Sequence, residues 1–374
     1  CMQYRKFGRT GVEVSALGFG CMRFPLIQRD GEERVDEEQA AAMLRYGIDH
    51  GLNYVDTAYP YLNGKCEAAV GRALQDGYRE KVYLATKSPV WLLKEEEDFD
   101  RILEEQLERL QTEYIDFYLL HALDQERFEN IVLNMRLLDH LEAAKAAGKI
   151  RHIGFSFHDS FEVFKKIVDY YSGWEFCQIQ YNYADTEHQA GRKGLQYAAS
   201  KGLGVVIMEP LRGGKLAAPA THLADVFPKE RTPVEWGLDF LWNQPEVSLV
   251  LSGMNSMKQV EDNLSYASRS AAGMLDTSSE EMYRKAGEIF NTMALVKCTH
   301  CEYCLPCPSG LNIPEIFSIY NQSATDGMDV ARKKYALLDK KADECIRCRR
   351  CEKACPQHIG VSAMMLDIGE ELEA

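Results

Sequence analysis

The 374 residues exceed the size at which one hydrophobic core usually stops growing, so a large domain followed by a smaller one is expected. With 46% hydrophobic and 27% charged residues the composition is ordinary for a globular protein, and a net charge of −14 argues against a nucleic-acid partner, whose phosphates need clustered Lys and Arg. The acidic balance would suit a basic redox partner. No long apolar run offers a membrane span, and Tyr4, Arg5, Lys6 and Arg9 are not followed by the apolar stretch of a signal peptide, so the chain reads as cytoplasmic.

The first element is a β-hairpin over Tyr4–Phe7, Gly8–Gly11 and Val12–Val14, placed to cap the N-terminal end of whatever follows. From residue 36 to about 267, short apolar runs alternate with longer amphipathic stretches. The runs are Tyr54–Asp56, Val82–Thr86, Ile115–Leu120, Ile150–Phe155, Cys177–Tyr181, Gly204–Met208 and Val247–Leu251, as parallel strands buried on both faces should be. Ala16–Phe19 makes an eighth. Glu37–His50, Asp98–Leu110, Ile131–Ala147 and Pro233–Asn243 are among the predicted helices. Eight strand–helix pairs in about 250 residues favour a (β/α)8 TIM barrel over an open doubly wound sheet. No Gly-x-Gly-x-x-Gly follows the first strand, which disfavours a Rossmann arrangement. Beyond 268 the pattern changes, and Ser278-x-x-Glu281 reads as a capping box opening a further helix. The expected domains are 1–270 (barrel), 271–297 (helical linker) and 298–374.

That last segment carries eight of the twelve cysteines. They run Cys298-x2-Cys301-x2-Cys304-x2-Cys307-Pro308 and Cys345-x2-Cys348-x2-Cys351-x3-Cys355-Pro356. Three cysteines spaced three apart can wrap one cubane, while the fourth, followed by proline, leaves toward another cluster. Cys298, Cys301, Cys304 and Cys355 would hold one [4Fe–4S] cluster, and Cys345, Cys348, Cys351 and Cys307 the other. Structural zinc would leave a cysteine surplus in each run, and disulfides would need an oxidising compartment. The spacer from Leu305 to Glu344 is mostly helical in pattern, with Pro314 suited to a first turn, so this domain resembles an α-helical ferredoxin type. Cys1, Cys21, Cys66 and Cys177 show no motif spacing and read as free thiols.

Polar residues stand at successive strand ends, where (β/α)8 enzymes place their chemistry. Asp56 ends the second strand, Lys87 the third and His121 the fourth, and Tyr61 follows on the loop over the same mouth. These segments resemble the aldo-keto reductase superfamily over nearly all of residues 3–267, and the cysteine runs resemble a subgroup with a fused two-cluster domain. The resemblance implies a catalytic tetrad of Asp56, Tyr61, Lys87 and His121. The family's Gly-Lys-Ile-Arg-x-Ile-Gly-x-Ser segment stands as Gly148 to Ser156, and its Gln-x-x-Tyr-Asn strand as Gln178 to Asn182. Reducing a carbonyl by hydride needs a proton donor at the oxygen. A Lys87 ammonium paired with buried Asp56 would lower the pKa of Tyr61, and a neutral His121 would orient the oxygen.

The resemblance also implies a nicotinamide nucleotide, NAD(P)H. Ser156 and Gln178 would hold its carboxamide, although Phe157 and His158 stand where the family has Asn and the next residue. Met208 replaces the usual aromatic under the nicotinamide, and Pro210, Leu211, Arg212 and Gly214, with Lys215, would approach the pyrophosphate. Ser252, Gly253, Ser256, Gln259 and Asn263 complete the set, Ser256 opening a helix suited to a phosphate and Asn263 at the adenine. Gly253 and Gln259 replace cations that read a 2′-phosphate, which tilts the expectation toward NADH, with Lys258 as a compensating cation. Hydride moves two electrons and each cluster one, so a flavin mononucleotide is allowed for as a mediator. The activities expected are reduction of a small-molecule carbonyl or, alternatively, electron exchange with a ferredoxin-like partner. Substrate choice would lie in loops 22–36, 89–98, 122–130 and 213–231, where Phe24, Trp91 and Leu123 suit an apolar or aromatic carbonyl.

Overall fold

Strands β1 (Tyr4–Lys6) and β2 (Glu13–Ser15) form the expected opening hairpin, with Tyr4 opposite Ser15. Phe7, just past β1, is fully buried against Phe117, Phe176 and Tyr54, at centroid distances of 4.9, 5.5 and 6.0 Å. Tyr54 and Phe176 each begin a barrel strand, so this ring plugs the N-terminal mouth. A Cβ on Gly204 would meet the Phe7 ring at 2.2 Å, which is why a glycine starts the strand there. The computed structural model describes residues 1–373.

Eight parallel strands close into a barrel: β3 (Leu17–Gly20), β6 (Tyr54–Asp56), β7 (Tyr83–Ser88), β8 (Ile115–Leu123), β9 (Ile150–Phe157), β10 (Phe176–Gln180), β11 (Gly204–Met208) and β12 (Leu249–Gly253). Neighbours in the barrel follow chain order, and β12 closes on β3 with Leu251 beside Gly18. Each predicted run lies on one of these strands. All nine residues of β8 are buried, as a strand packed on both faces requires. The remaining pair, β4 (Leu26–Arg29) and β5 (Glu32–Val35), is a second hairpin within what reads as a loop. Its turn is Asp30-Gly31, both at positive φ, the combination a tight two-residue hairpin demands.

Helices follow the strands, among them Glu37–Asp49, Asp98–Leu110 and Pro233–Trp242 close to their predicted bounds. The stretch expected as one helix over 131–147 is broken. Phe128–Leu133 forms a π-helical turn, Arg136 takes a left-handed φ of 53°, and a regular helix begins only at Leu137. Three consecutive apolar residues, Ile131 to Leu133, cannot share one helical stripe.

The chain divides into two compact units: residues 1–210 with 235–276, and residues 211–234 with 277–374. The loop after β11 and the helix Ser278–Met293 therefore group with the C-terminal part, instead of with the barrel and a separate linker. Within the second unit Phe227 from that loop packs on Tyr283 of the helix at 5.7 Å. The expected capping box is not formed, because Ser278 is already helical and Thr277 before it makes no side-chain cap. Pro314 does occupy the first turn of Ile313–Asp326, and Asn312 caps it by accepting from the Glu315 amide. This helix, Met328–Ala336 and Val361–Glu373 enclose a core of Ile316, Phe317, Tyr335, Met365 and Ile368. Among the described residues no helix is long and apolar enough to cross a membrane.

Candidate functional site

Asp56 ends β6 opposite Ala85 of β7, and Lys87 stands two residues beyond Ala85, so strand alternation turns both side chains to the same face. The Lys87 ammonium is fully buried and donates to both Asp56 oxygens at 2.8 and 2.9 Å, to the Thr57 carbonyl at 2.7 Å, and to the Tyr61 hydroxyl at 3.3 Å. A buried ammonium needs that many acceptors to be tolerated. Burial raises the pKa of Asp56, and the adjacent Lys87 opposes the rise. Tyr61 is held over the mouth by a short turn in which Leu62 and Asn63 take left-handed conformations.

His121, in the second half of β8, meets the Tyr61 ring edge-on at 5.9 Å. Burial lowers its pKa well below the ordinary value, and the nearby Lys87, Arg127 and His158 push the same way, so its imidazole is neutral at neutral pH. The four residues of the expected tetrad thus stand together. Trp91, expected at the mouth, packs on His121 at 4.9 Å, and Arg127, which carried no sequence signal, lies over Trp91 at 4.9 Å while donating to the Ala122 carbonyl at 2.9 Å. Behind β7, Glu67, Thr86, Gln106 and Tyr118 form a buried polar network, and Gln106 donates to the Lys87 carbonyl at 2.7 Å. That fixes the backbone bearing the lysine.

Ser156 and Gln178, expected at a nicotinamide carboxamide, are register partners on β9 and β10. Gln178 is buried, its Nε2 contacts the Met208 sulfur at 3.5 Å, and its Oε1 has no partner in the protein. A buried carbonyl oxygen in that state calls for a donor from elsewhere. The Ser156 hydroxyl accepts from the Ala122 amide at 2.7 Å, leaving its proton to donate. Phe157 takes no part: strand alternation turns it outward onto Phe164 at 5.1 Å. His158 returns to the Ser156 side and contacts Gln189 Oε1 at 3.1 Å.

At the last strand, Asn263 donates to the Ser252 hydroxyl at 3.0 Å, both side chains being buried. Ser256 caps the helix Met257–Ser268 by accepting from the Gln259 amide, and Gln259 Oε1 accepts from Asn255. Lys258 is engaged by Asp262 at 2.9 Å. Over Gly253 lies Arg23, whose Cδ would stand 3.0 Å from an added Cβ. Sequence gave no hint of Arg23, since it arrives from the loop after β3.

Pro210 ends the first unit's segment and Leu211 begins the second's. Arg212 is buried and donates to the Lys297 carbonyl at 3.3 Å, and Lys215 donates to the Cys298 carbonyl at 2.7 Å. Gly213, at φ +64°, is so close that a Cβ would lie 2.2 Å from the Thr299 oxygen. The two cations expected at a pyrophosphate are thus tied to the start of the first cysteine run. Gly214 faces open space.

The cysteines segregate across the runs. Burial raises the pKa of Cys304, and the charges of Cys301, Cys298 and Cys355 raise it further. Cys298 is raised by burial too, with the His300 amide, Lys215 and Arg212 opposing and Cys355 adding to it. Cys355 therefore sits with the first run. Cys307, Cys345, Cys348 and Cys351 line one cavity, together with Cys304 and apolar walls from Leu311 and Ile313. Burial pushes Cys351 up to about 11, with Cys345 contributing. Among the described residues no three His, Cys, Asp or Glu side chains converge as ligands of a single ion do. A cubane instead offers four irons, each to its own thiolate, and each set would supply four thiolates.

Residues 16–272 match the aldo/keto reductase family model, and residues 297–360 match a 4Fe-4S dicluster domain. L-galactose dehydrogenase of Arabidopsis thaliana is 29% identical over 70% of this chain and 87% of its own length. The holo form of aldo-keto reductase AKR11C1 from Bacillus halodurans shares the fold, with a TM-score of 0.64 and 24% identity over 76% of this chain and 96% of that one. An aldo-keto reductase from Klebsiella pneumoniae in complex with NADPH gives a TM-score of 0.61 and 26% identity, covering 76% and 95%. The flavin allowed for above has no support in the geometry or in these relatives. A (β/α)8 barrel whose family match spans well over half of the chain, followed by a helical dicluster domain, makes this protein an oxidoreductase of the aldo/keto reductase family.

Proposed function

We propose that the barrel reduces a small carbonyl compound to the alcohol with hydride from NAD(P)H, and that the two cysteine sets each hold a [4Fe–4S] cluster. The observation that carries this reading is the Lys87 ammonium, shared between the Asp56 carboxylate and the Tyr61 hydroxyl. A bound nicotinamide supplies hydride to the carbonyl carbon. Tyr61 gives its hydroxyl proton to the carbonyl oxygen as negative charge develops there. The Lys87 cation stands where the resulting phenolate charge appears, and Asp56 keeps that cation in place. Neutral His121 donates a hydrogen bond that orients the oxygen without competing as an acid. Trp91, packed on His121, gives the mouth an aromatic wall that favours an apolar or aromatic carbonyl.

Gln178 and Ser156 would hold the carboxamide, Met208 would pack beneath the ring, and Ser252, Ser256, Gln259 and Asn263 would line the adenosine end. Arg23 beside Gly253 supplies a cation at the position that reads a 2′-phosphate. The Tyr61→Phe variant tests the reading. Carbonyl-dependent NAD(P)H oxidation should fall about 10²- to 10⁴-fold with the fold intact. Unchanged turnover would rule Tyr61 out as the proton donor.

A further inference from the structure

In the first half of the second cysteine run, Ile346, Arg347, Cys348, Arg349 and Arg350 are five consecutive exposed residues, and Ile346 is 66% exposed. Cys348 is the exposed member of the eight motif cysteines. Arg347 and Arg349 take left-handed conformations, φ 54° and 59°, and Ile346 and Arg349 also line the rim of the cysteine cavity. From Ile346 to Lys353 the segment carries four cations and one carboxylate, Glu352. That carboxylate is engaged by Arg349 at 2.8 Å and by the Ser362 amide at 2.8 Å. A chain of net charge −14 therefore places a cationic rim with an apolar tip around its most accessible cluster ligand.

We infer that this loop is the docking surface for a small acidic one-electron carrier protein. The inference rests on the two cysteine sets holding clusters and is independent of the barrel's reaction. Charge complementarity selects the partner. Acidic carboxylates can pair with Arg347 and Arg350, and Ile346 supplies the dry contact that a transient redox interface needs. This partner differs from the basic one that net charge alone suggests: a Debye length of about 8 Å lets the rim outweigh remote carboxylates, and of the two acidic residues just before it, Asp343 and Glu344, the latter is paired with Lys340. In the exchange one electron would leave the carrier's reduced centre for the cluster that Cys307, Cys345, Cys348 and Cys351 would hold. The carrier is oxidised by one electron, the cluster reduced by one, and no covalent bond changes.

Hydrogen–deuterium exchange on the anaerobically purified wild-type holoprotein gives the first test, with a purified acidic two-cluster ferredoxin as probe. Protection of residues 346–353 is expected. Protection confined to other segments, or none at all, overturns the proposal. Equal protection of the segment by a single-stranded oligonucleotide would also overturn it, because the rim would then be reading phosphate. The second test is the double variant Arg347→Gln/Arg350→Gln, checked for full iron content and an unchanged cluster spectrum. Its affinity for the ferredoxin should drop at least tenfold, and an unchanged affinity contradicts the docking site. Loss of iron in the wild-type holoprotein would instead indict the ligand assignment, so the two failures are distinguishable.

Discussion

The Lys87–Asp56 pair shows how far one buried charge can set the behaviour of a site. Both side chains are out of water, and each is tolerated only because of the other. Lys87→Met should therefore destabilise the barrel by about 3–5 kcal/mol, whereas Asp56→Asn/Lys87→Met should cost much less. Chemical denaturation of the three proteins measures this, and equal losses in both variants would show that the pair is not mutually dependent. His121 sets a pH dependence of stability. Its pKa is depressed in the fold, while in the unfolded chain it takes a proton near its ordinary value of about 6.5. The unfolded state then binds the extra proton, so stability falls as pH drops through that value. Between pH 7.5 and 5.5 the Tm of the parent should decline more steeply than that of His121→Gln, and parallel curves would contradict the assignment. At the far end of the mouth, Arg23→Ala should raise KM for NADPH about tenfold more than for NADH. Equal effects on both nucleotides would remove Arg23 from the 2′-phosphate. The tetrad was legible in sequence because strand ends fix position and direction together. Trp91 was expected at the mouth but not against His121, and Arg127 and Arg23 were not foreseen, since loop geometry carries them in. Phe157 is the instructive case: it stands where the family has a carboxamide-side Asn, and the two-residue alternation of β9, readable in advance, sends it to the helix layer.

Among elements, the segment after β11 answers to two groupings. Sequence assigns it to the barrel and the family match over 16–272 includes it, while by contacts residues 211–234 group with the C-terminal unit, where Lys215, Arg212 and Gly213 meet the first cysteine run. Gly213 and Gly214 both have positive φ, so an alanine at either carries the left-handed cost of roughly 1–2 kcal/mol. Only at Gly213 would the added Cβ also collide with the Thr299 carbonyl. Gly213→Ala should thus loosen the start of the first cysteine run, giving faster amide exchange at residues 297–300 and lower iron retention than Gly214→Ala. Matching behaviour of the two variants would show that the contact is dispensable. The strands were legible because parallel strands buried on both faces leave unbroken apolar runs. The β4–β5 hairpin escaped notice because its strands are mostly exposed and lack such runs, and only Asp30-Gly31 marks it. The break at Arg136 has no comparable punctuation, since neither glycine nor proline stands there.

At the scale of the whole molecule, an aldo/keto reductase family barrel is joined to a 4Fe-4S dicluster domain, and the proposed reading gives the first hydride and proton transfer and the second single electrons. The barrel's site can be described without reference to the clusters, and the cysteine sets without reference to the barrel. The central claim is that both are functional in one chain, with Tyr61 serving only the first. Its most direct test is to purify the parent and Tyr61→Phe side by side under anaerobic conditions, measuring iron per chain and NAD(P)H oxidation driven by an aromatic aldehyde. The account predicts about eight irons in each protein, turnover in the parent, and turnover reduced by two or more orders of magnitude in the variant. Fewer than about six irons in the parent, or equal turnover in the two proteins, would contradict it.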